Sequence, residues 1–562
     1  MIQELVEFGR RVTEGKSRAL KEEVFSIVLV IDEMGTFKKF IVGDKQSVQA
    51  EAITAKKGKA RFLLDKCEEV LGVGEGDVQK KHELFIKKLE CYKTLPALMP
   101  IFRFYDATNV NGLEKARADF ERLDKKAKGG NITFMVGSSV LLKTEEVKNA
   151  IIKRFQEEEL KLTNGRICSV CGTSNSPVLD EPHGLVKMPK GQKAGSALVS
   201  YNESAFESYG LKGNLNSSIC RECARNYIEG LDFLLTDGYK IEGTDHYHYN
   251  HRVKISDTTV ALFWTRQETM EVNPFMIDTP DESEVKNLFD SVWNGDNRIE
   301  AVVDTNMFYS CTLSSAAARI AVRDWTALSL HDYKHNLAEW FHDIEIEDYD
   351  GKLAYSSLRL LVNATQRNMK PGEKQKSDLN SKARIGSILW NAATKGRSYR
   401  IPLEVLQYVL KRICIGDNFS PYRAAIIKLI INRNTYRNMN STLDETNRSV
   451  AYLCGRLFAV IESMQWKAIG NVNSGIKERY FAAAVSQPAY ILGALLTKNV
   501  PIYQHKIGGY LAKELNEIAG VISERGSFPK RFSSIEQGEF ALGYYFQRTH
   551  KTNNEKSENT NL

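Results

Sequence analysis

The most regular alternation of hydrophobic and polar residues lies in the last quarter of the chain. Between residues 448 and 470, apolar side chains recur every three or four positions, which predicts an amphipathic helix that ends at Gly470. Three further helical patterns follow, and the last begins with Ser533 and Glu536 in capping-box spacing. Because the connections are short, we predict a small antiparallel helical bundle over residues 439–548.

Upstream of the bundle, strand and helix patterns are mixed. Two β-rich runs within residues 25–42 predict a hairpin, and residues 131–142 return to a strand pattern. The run 313–325 predicts a helix, with Arg319 and Arg323 four positions apart and therefore on one face. Two arginines on one face suit a nucleic-acid backbone, although nearby acidic residues would equally hold them in a protein interface.

Composition then limits the class of protein. Hydrophobic residues make up 42% of the chain and charged residues 26%, as in ordinary soluble globular proteins. No apolar run approaches the length of a membrane helix, and the first residues lack the apolar segment of a secretion signal. Nine cysteines without such a signal indicate reduced thiols or metal ligands and a cytoplasmic location. A net charge of +7 only weakly favours anionic partners.

Four cysteines have the spacing of a zinc site. Cys168 and Cys171 form one C-x-x-C pair, and Cys220 and Cys223 form a second. Each pair can bring two thiolates to one tetrahedral Zn²⁺, and four thiolates leave no open position for a catalytic water, so we predict a structural zinc. Two alternatives stay open, namely four reduced cysteines without metal and the replacement of one cysteine ligand by His183.

A basic loop is the first candidate for contact with nucleic acid. Lys56, Lys57, Lys59 and Arg61 surround a glycine, and grouped, flexible cations of this kind suit phosphate contacts. A solvated loop is the alternative.

The stretch between the two cysteine pairs is the second candidate. It carries Asn202, Asn214 and Asn216 among serines, tyrosines and glycines, a mixture that suits the reading of base edges or the gripping of phosphates. A polar loop packed on its own domain is the alternative.

A histidine-rich run is the third feature to weigh. His246, His248 and His251, together with Asp245, could supply a metal site or part of a nuclease centre. We favour a solvated loop, because no acidic partner motif accompanies the run.

Together these patterns predict an α+β protein whose N-terminal region is mixed α/β and carries an inserted zinc-knuckle module, and whose C-terminal region is mostly helical and ends in the small bundle. The predicted parts are a mixed α/β N-terminal domain (1–165), a zinc-knuckle module with an inserted recognition loop (166–265), a helical or mixed middle domain (266–370), a basic helical segment (371–438), the bundle (439–548) and a disordered tail (549–562).

Several stretches also resemble a known family. They are the ALVSYN and AFESYG segments within residues 197–210, and AYLCGRLFAVIESMQWKAIG, ERYFAAA and EQGEFALGYYFQR in the bundle. These sequences are similar to those of the large subunit of type I-C CRISPR surveillance complexes, and the resemblance includes segments from about residue 59 to residue 548. Many members of that family lack the cysteine pairs, so zinc would be a subfamily trait.

The resemblance implies a non-catalytic subunit that binds nucleic acid. Such subunits recognise the short motif beside the target in duplex DNA, promote formation of the R-loop, hold the displaced strand and recruit a helicase-nuclease. Pairing with the CRISPR RNA, held by other subunits, reads the rest of the target. The implied partners are therefore duplex DNA, the displaced strand, the backbone and RNA-processing subunits and the helicase-nuclease, with no membrane. A metal-dependent nuclease using the histidine run and a scaffold that contacts only protein are the alternatives.

The family resemblance has a further consequence for the bundle. In that family, a small subunit can be made by internal initiation within the large-subunit reading frame. Met439 lies in a polar run just before the first bundle helix, so a start there keeps the whole apolar face of that helix, whereas Met464 lies in its middle. We therefore expect a second product that spans residues 439–562. This product should line the path of the displaced strand through the cations Arg456, Lys467, Lys477 and Arg479.

Overall fold

The chain is described here by a computed structural model that covers all residues except 16, 18, 53–59, 75, 124–126, 161–165, 175–182, 202, 269–272, 294–305, 368–378, 436, 471, 508 and 561–562. It divides into two units. The N-terminal unit comprises Ile2–Leu185 and Val199–Leu231. The C-terminal unit comprises Met1, Val186–Leu198 and Asp232–Leu562, so it includes a segment that lies between the two cysteine pairs in sequence.

A five-stranded mixed sheet forms the centre of the N-terminal unit. Its strands are β1 (Leu20–Ile31), β2 (Phe37–Glu51), β3 (Leu64–Asp65), β4 (Ile132–Val136) and β5 (Ser139–Val140). Their order is β2-β1-β4-β3, with β5 paired to β4, and β1 runs antiparallel to β2 and parallel to β4. The hairpin and the strand predicted from the sequence are therefore confirmed. In the β1–β2 turn, Gly35 has a φ of +78°, and a Cβ there would lie 2.5 Å from the backbone nitrogen of Phe104.

The middle of this sheet is covered on both faces, whereas most of β2 is exposed. Every residue of the run 27–31 in β1 is buried, as expected for a strand that is covered on both sides. The helices of the unit are α1 (Ile2–Val12), α2 (Cys67–Val70), α3 (Val78–Glu90), α4 (Met99–Tyr105), α5 (Leu113–Phe120), α6 (Glu145–Leu160) and α7 (Arg221–Thr236), whose last residues belong to the C-terminal unit.

The C-terminal unit begins with strands. They are β6 (Gly238–Lys240), β7 (Tyr247–Tyr249), β8 (Arg252–Lys254), β9 (Thr259–Thr265), β10 (Met307–Ala316), β11 (Arg319–Ser329), β12 (Ile346–Glu347) and β13 (Leu353–Ala354). An antiparallel sheet has the order β11-β10-β9-β8, while β6 pairs with β7 and β12 with β13.

The helix predicted over residues 313–325 is wrong, because this run forms the β10–β11 hairpin. β10 pairs with β9 on one side and β11 on the other, and its residues 308–314 are all buried. Pairing of β10 with β9 and of β11 with β10 thus overrides the local helical pattern, as tertiary context often does.

Helices make up the rest of the unit and share one continuous apolar core, which runs from Val253 to Phe546. They are α8 (Glu282–Trp293), α9 (Leu330–Ile344), α10 (Leu358–Ala364), α11 (Leu379–Lys395), α12 (Leu403–Cys414), α13 (Pro421–Thr435), α14 (Val450–Ile469), α15 (Ile476–Ser486), α16 (Pro488–Ala494), α17 (Val500–Gln504), α18 (Gly509–Glu524) and α19 (Ser534–Thr560).

The first predicted bundle helix is confirmed as α14, which ends at Gly470 with φ +70° and a bond from the Gly470 N–H to the Trp466 carbonyl. However, residues 451–461 of α14 are all buried, so the helix is enclosed rather than amphipathic over its first three turns. α19 also packs on α12 and α13, and a Cβ at Gly538 would lie 3.1 Å from a side-chain carbon of Ile427. The bundle therefore shares its core with the helices that precede it.

The last helix extends farther than the sequence predicts. α19 continues to Thr560, whereas we expected it to end near Arg548 and to be followed by a disordered tail. No glycine or proline lies between residues 549 and 560 to end it. Among the described residues, none of the helices has the length and apolar character needed to cross a membrane.

Candidate metal centre and nucleic-acid interface

The four predicted ligand cysteines lie together in the N-terminal unit. Cys168 and Cys171 belong to a tight turn in which the Gly172 N–H donates to the Cys168 carbonyl at 2.9 Å, and Gly172 has a φ of +71°. Cys220 and Cys223 lie at the start of α7. Their four Sγ atoms all lie within 4.8 Å of one another. The spacing of two C-x-x-C pairs thus correctly predicted a four-cysteine cluster.

The donor set and its surroundings fit a structural zinc ion. A tetrahedral Zn²⁺ with Zn–S bonds of about 2.3 Å places its sulfurs roughly 3.8 Å apart, and the Cys171 and Cys220 Sγ atoms are 3.9 Å apart. Backbone N–H groups already support the sulfurs: that of Cys220 donates to Cys168 Sγ at 3.3 Å, and that of Cys223 donates to Cys220 Sγ at 3.4 Å. Cys168, Cys220 and Cys223 are buried, so the cluster is closed on most sides.

The pKa values of Cys220 and Cys223 are shifted in opposite directions. A hydrogen bond from the Cys223 thiol, together with backbone bonding, lowers the pKa of Cys220 to about 5. The same interaction raises the pKa of Cys223. The shared hydrogen bond thus favours ionisation of one of the two sulfurs over the other, and a bound metal would favour release of the thiol protons.

His183 is not among the clustered ligands. Its Nδ1 lies 2.7 Å from the Tyr227 hydroxyl and its Nε2 lies 3.3 Å from Asn214 Oδ1. Burial lowers the pKa of His183, which keeps the ring neutral, so Nε2–H donates to Asn214 while Nδ1 accepts from Tyr227. The ring helps to hold the loop of residues 199–217 through Asn214 instead of binding metal.

The recognition loop, residues 199–217, is fixed at its base by the amides that we predicted to read bases. Asn214 is buried: its Nδ2 donates to the Ile219 carbonyl at 2.8 Å, and its Oδ1 accepts from the Ile219 N–H at 3.3 Å. Asn216 Nδ2 donates to the carbonyls of Leu211 and Gly213. Asn202 lies outside the described residues. The position of Asn214 therefore gives no support to base reading and assigns it to holding the loop.

Of the four predicted cations of the basic loop, the structure describes Arg61 only. Lys56, Lys57 and Lys59 lie outside the described residues. The Arg61 guanidinium is partly exposed and lies 3.4 Å from a Glu23 carboxylate oxygen.

The two arginines of the wrongly predicted helix lie on β11. A bulge places Arg323 outside the regular pairing, since Thr312 pairs with Asp324 and Leu313 with Val322. Arg323 Nε donates to Ser314 Oγ at 2.7 Å. Arg319 adjoins the hairpin turn, where it forms a bridge with Ala197. The two arginines thus lie on a strand, so the helical spacing from which we placed them on one face does not apply.

The four cations predicted in the bundle differ in exposure. Arg456 is buried, and its Nε donates to Gln547 Oε1 at 2.9 Å, so this side chain bonds within the protein interior. Lys467 and Arg479 are exposed. Lys477 is partly buried, with Nζ 5.9 Å from the centroid of the Tyr544 ring. Lys467, Lys477 and Arg479 are the members of this set with access to a ligand.

The histidine run forms no common centre. His248 lies on β7 between the rings of Tyr239 and Phe275, at centroid distances of 5.0 and 4.8 Å. His251 Nε2 is 3.7 Å from an Asp237 oxygen, and His246 is exposed. Within the described ranges, the cysteine quartet is the only set of three or more potential ligands that converges.

One exposed residue escaped the sequence analysis. Tyr209, at the tip of the recognition loop, has a fully exposed side chain and a φ of +51°. The signal available in the sequence was the tyrosine–glycine pair, since glycine marks tight turns, but nothing in it showed that the tyrosine ring would be left outside.

The family comparison agrees with the resemblance found in the sequence. The family model described as CRISPR-associated protein (Cas_Csd1) matches residues 10–551. The chain belongs to this family. No curated protein has significant similarity to the chain. Both units of this Cas_Csd1 protein, including the cysteine cluster and the bundle, lie almost entirely within the matched residues.

Proposed function

We propose that this Cas_Csd1 protein is the large subunit of a type I-C CRISPR surveillance complex and acts without catalysing a reaction itself. In this role it recognises the target-adjacent motif in duplex DNA, promotes R-loop formation and recruits the helicase-nuclease. The family match over residues 10–551 is the observation that carries the proposal. The stretches quoted from the recognition loop and the bundle support the type I-C assignment.

The exposed cations support a nucleic-acid role for the bundle. Lys467 lies in the last turn of α14, while Lys477 and Arg479 lie in the first turns of α15. Phosphate contacts by such residues release counterions, so they contribute affinity that falls with salt. We leave Arg456 and Asn214 out of the proposed interface, because both side chains are buried and bonded internally.

The test is a salt series on the assembled complex with duplex DNA that contains the target-adjacent motif. We expect binding to weaken linearly on logarithmic axes, with a slope of about −0.9 per phosphate contact. Replacing both Lys477 and Arg479 by Ala should reduce the magnitude of the slope by about 1–2, whereas Lys352→Ala, an exposed cation elsewhere in the C-terminal unit, should leave it unchanged.

Two results would contradict the proposal. Absence of salt-dependent binding to the duplex would favour a scaffold that contacts only protein. Cleavage of the DNA by the purified subunit with Mg²⁺ or Mn²⁺ would favour the nuclease alternative, and the His246, His248 and His251 variants would then locate the reaction.

A second product from internal initiation belongs to the same proposal. A chain from Met439 retains the whole of α14, whereas a start at Met464 deletes the buried residues 451–461. The full chain of 562 residues has a mass of 63.6 kDa, so the product 439–562 has a mass of about 14 kDa. Expression with the Met439 codon changed to a non-initiating one should abolish this product; its persistence at the same size would disprove the start site.

A further inference from the structure

The tip of the recognition loop is a tight turn with an aromatic residue in an unusual place. Ser208 and Leu211 form an antiparallel bridge, and the Leu211 N–H donates to the Ser208 carbonyl at 2.8 Å. Between them, Tyr209 and Gly210 have φ values of +51° and +72°. Two positive φ values are those of a type I′ turn, in which Asn-Gly is the favoured pair.

Tyr209 is a poor choice for the folding of this turn. A side chain with a positive φ places its Cβ close to backbone atoms, at a cost in stability that asparagine or glycine largely avoids. The usual compensation for an aromatic ring is burial, yet the Tyr209 side chain is 101% exposed. The ring therefore adds strain to the turn and buries no surface within this chain.

The loop beneath the tip is held firmly. Asn216 bonds the carbonyls of Leu211 and Gly213, and the Tyr201 hydroxyl bonds the Ser217 hydroxyl. Ser217 in turn accepts a hydrogen bond from Ser169, which lies inside the first C-x-x-C pair. Hydrogen bonds thus link the first C-x-x-C pair to a loop that presents the Tyr209 ring at its tip.

The charges around the tip indicate which part of a nucleic acid it suits. Glu203 and Glu207 are exposed on one side of the turn and Lys212 on the other, so the tip has no excess of positive charge for phosphates. An aromatic ring stacks on the uncharged face of a base, and Gly210 lets the backbone come close to it.

We propose that Tyr209 stacks on an unpaired base of the nucleic acid that this protein binds. The inference rests on the proposed nucleic-acid function and adds the contact that the recognition loop makes. It also reassigns the loop: the asparagines fix its base, and the tyrosine at its tip makes the contact.

The test uses the full chain and a forked DNA duplex with unpaired bases, at several salt concentrations. Tyr209→Ala should weaken binding by about 5- to 100-fold, the effect of losing one stacking contact, and should leave the slope of affinity against salt unchanged. Tyr209→Phe should retain most of the affinity. Tyr490→Ala, which removes another exposed tyrosine, is the matched control and should have no effect.

A direct readout is photo-crosslinking to 5-iodouracil placed at successive unpaired positions. Peptide mapping should find Tyr209 as the crosslinked residue at one position. If the wild-type chain binds the fork and Tyr209→Ala binds equally well, the stacking proposal is wrong while the proposed function stands. If the wild-type chain does not bind, both are wrong. If only the association of Tyr209→Ala with another protein is weakened, the ring contacts protein and the stacking proposal is overturned.

Discussion

Different interactions stabilise the cysteine-bearing segment, residues 166–223, and the C-terminal helical core. Between residues 166 and 223, the buried hydrophobic residues that the structure describes in the N-terminal unit are Ile219 and three of the clustered cysteines. The C-terminal unit instead has one continuous core of aliphatic and aromatic side chains. A region with so few apolar residues needs another source of stability, and the sulfur cluster is placed to provide it.

The difference explains where each region can carry function. In the cysteine segment, a few fixed points support a long exposed loop, so residues 203–210 need not contribute to a core. In the C-terminal core, α14 is enclosed over three turns, and only residues near its end, such as Trp466 and Lys467, are exposed. Sites on α14 are therefore confined to its end, whereas the cysteine segment can present a whole loop.

The largest expected effect comes from breaking the cysteine cluster. Cys220→Ser should abolish tight binding of one zinc per chain and unfold the segment, because structural zinc in small domains contributes an apparent 10–16 kcal/mol or so of binding free energy. Elemental analysis and limited proteolysis measure the two effects, with cleavage expected within residues 166–223. Cys91→Ser, at an exposed cysteine outside the cluster, is the control. Wild-type protein that contains no zinc after purification without chelator would contradict this prediction.

The next effect concerns the polar interior of the helical core. Asp343 and Arg433 are both fully buried, and Arg433 Nε lies 2.6 Å from Asp343 Oδ2. Asp343→Ala removes the nearer carboxylate of the buried guanidinium and leaves it with Glu339, whose Oε2 lies 3.8 Å from Arg433 Nη1, so the variant should cost about 3–5 kcal/mol in urea denaturation. Glu517→Ala removes the exposed pair with Lys513 and should cost less than about 1 kcal/mol. Equal losses of stability in the two variants would contradict the prediction that the buried ion pair contributes more than the exposed one.

The same pair predicts a pH dependence of smaller size. Burial alone raises the pKa of Asp343, but hydrogen bonding to His342 and the charge of Arg433 outweigh it, so the pKa lies below its usual value. A lowered carboxylate pKa stabilises the folded state above the unfolded value of about 3.9, and this contribution is lost as the pH falls through the folded value. The stability difference between wild type and Asp343→Asn should therefore shrink below about pH 4. A difference that stays constant into acid would contradict the shift.

The sequence predicted those features that depend on local spacing. The cysteine quartet follows from two C-x-x-C pairs, and the end of α14 follows from Gly470. The prediction failed where tertiary contacts decide: the run 313–325 forms a hairpin, because β11 pairs with β10 and β10 also pairs with β9.

Burial was equally hidden from the sequence at the candidate site. Asn214 and Arg456 carry polar groups that suit nucleic acid, yet both are enclosed and bonded internally. Tyr209 was not singled out among the tyrosines of its stretch, and its side chain is fully exposed. Whether a polar or aromatic side chain faces outward depends on packing between distant segments, which a single sequence does not reveal.

The smallest effect tests a feature that the sequence predicted in detail, the start of α19. The Ser533 N–H donates to Glu536 Oε2 at 2.7 Å, and the Glu536 N–H lies 3.4 Å from Ser533 Oγ, so the predicted capping box is present. Ser533→Ala should cost about 1 kcal/mol, as is typical for loss of a serine N-cap. Ser534→Ala, one residue into the helix, is the matched control and should change stability by less than about 0.5 kcal/mol. Because α19 packs on α12, α13 and α14, the loss should appear in the unfolding of the whole C-terminal core, followed by urea denaturation. If it appears instead as a separate early transition of α19, the continuous core is less cooperative than its packing indicates, and the contrast with the cysteine segment is weakened.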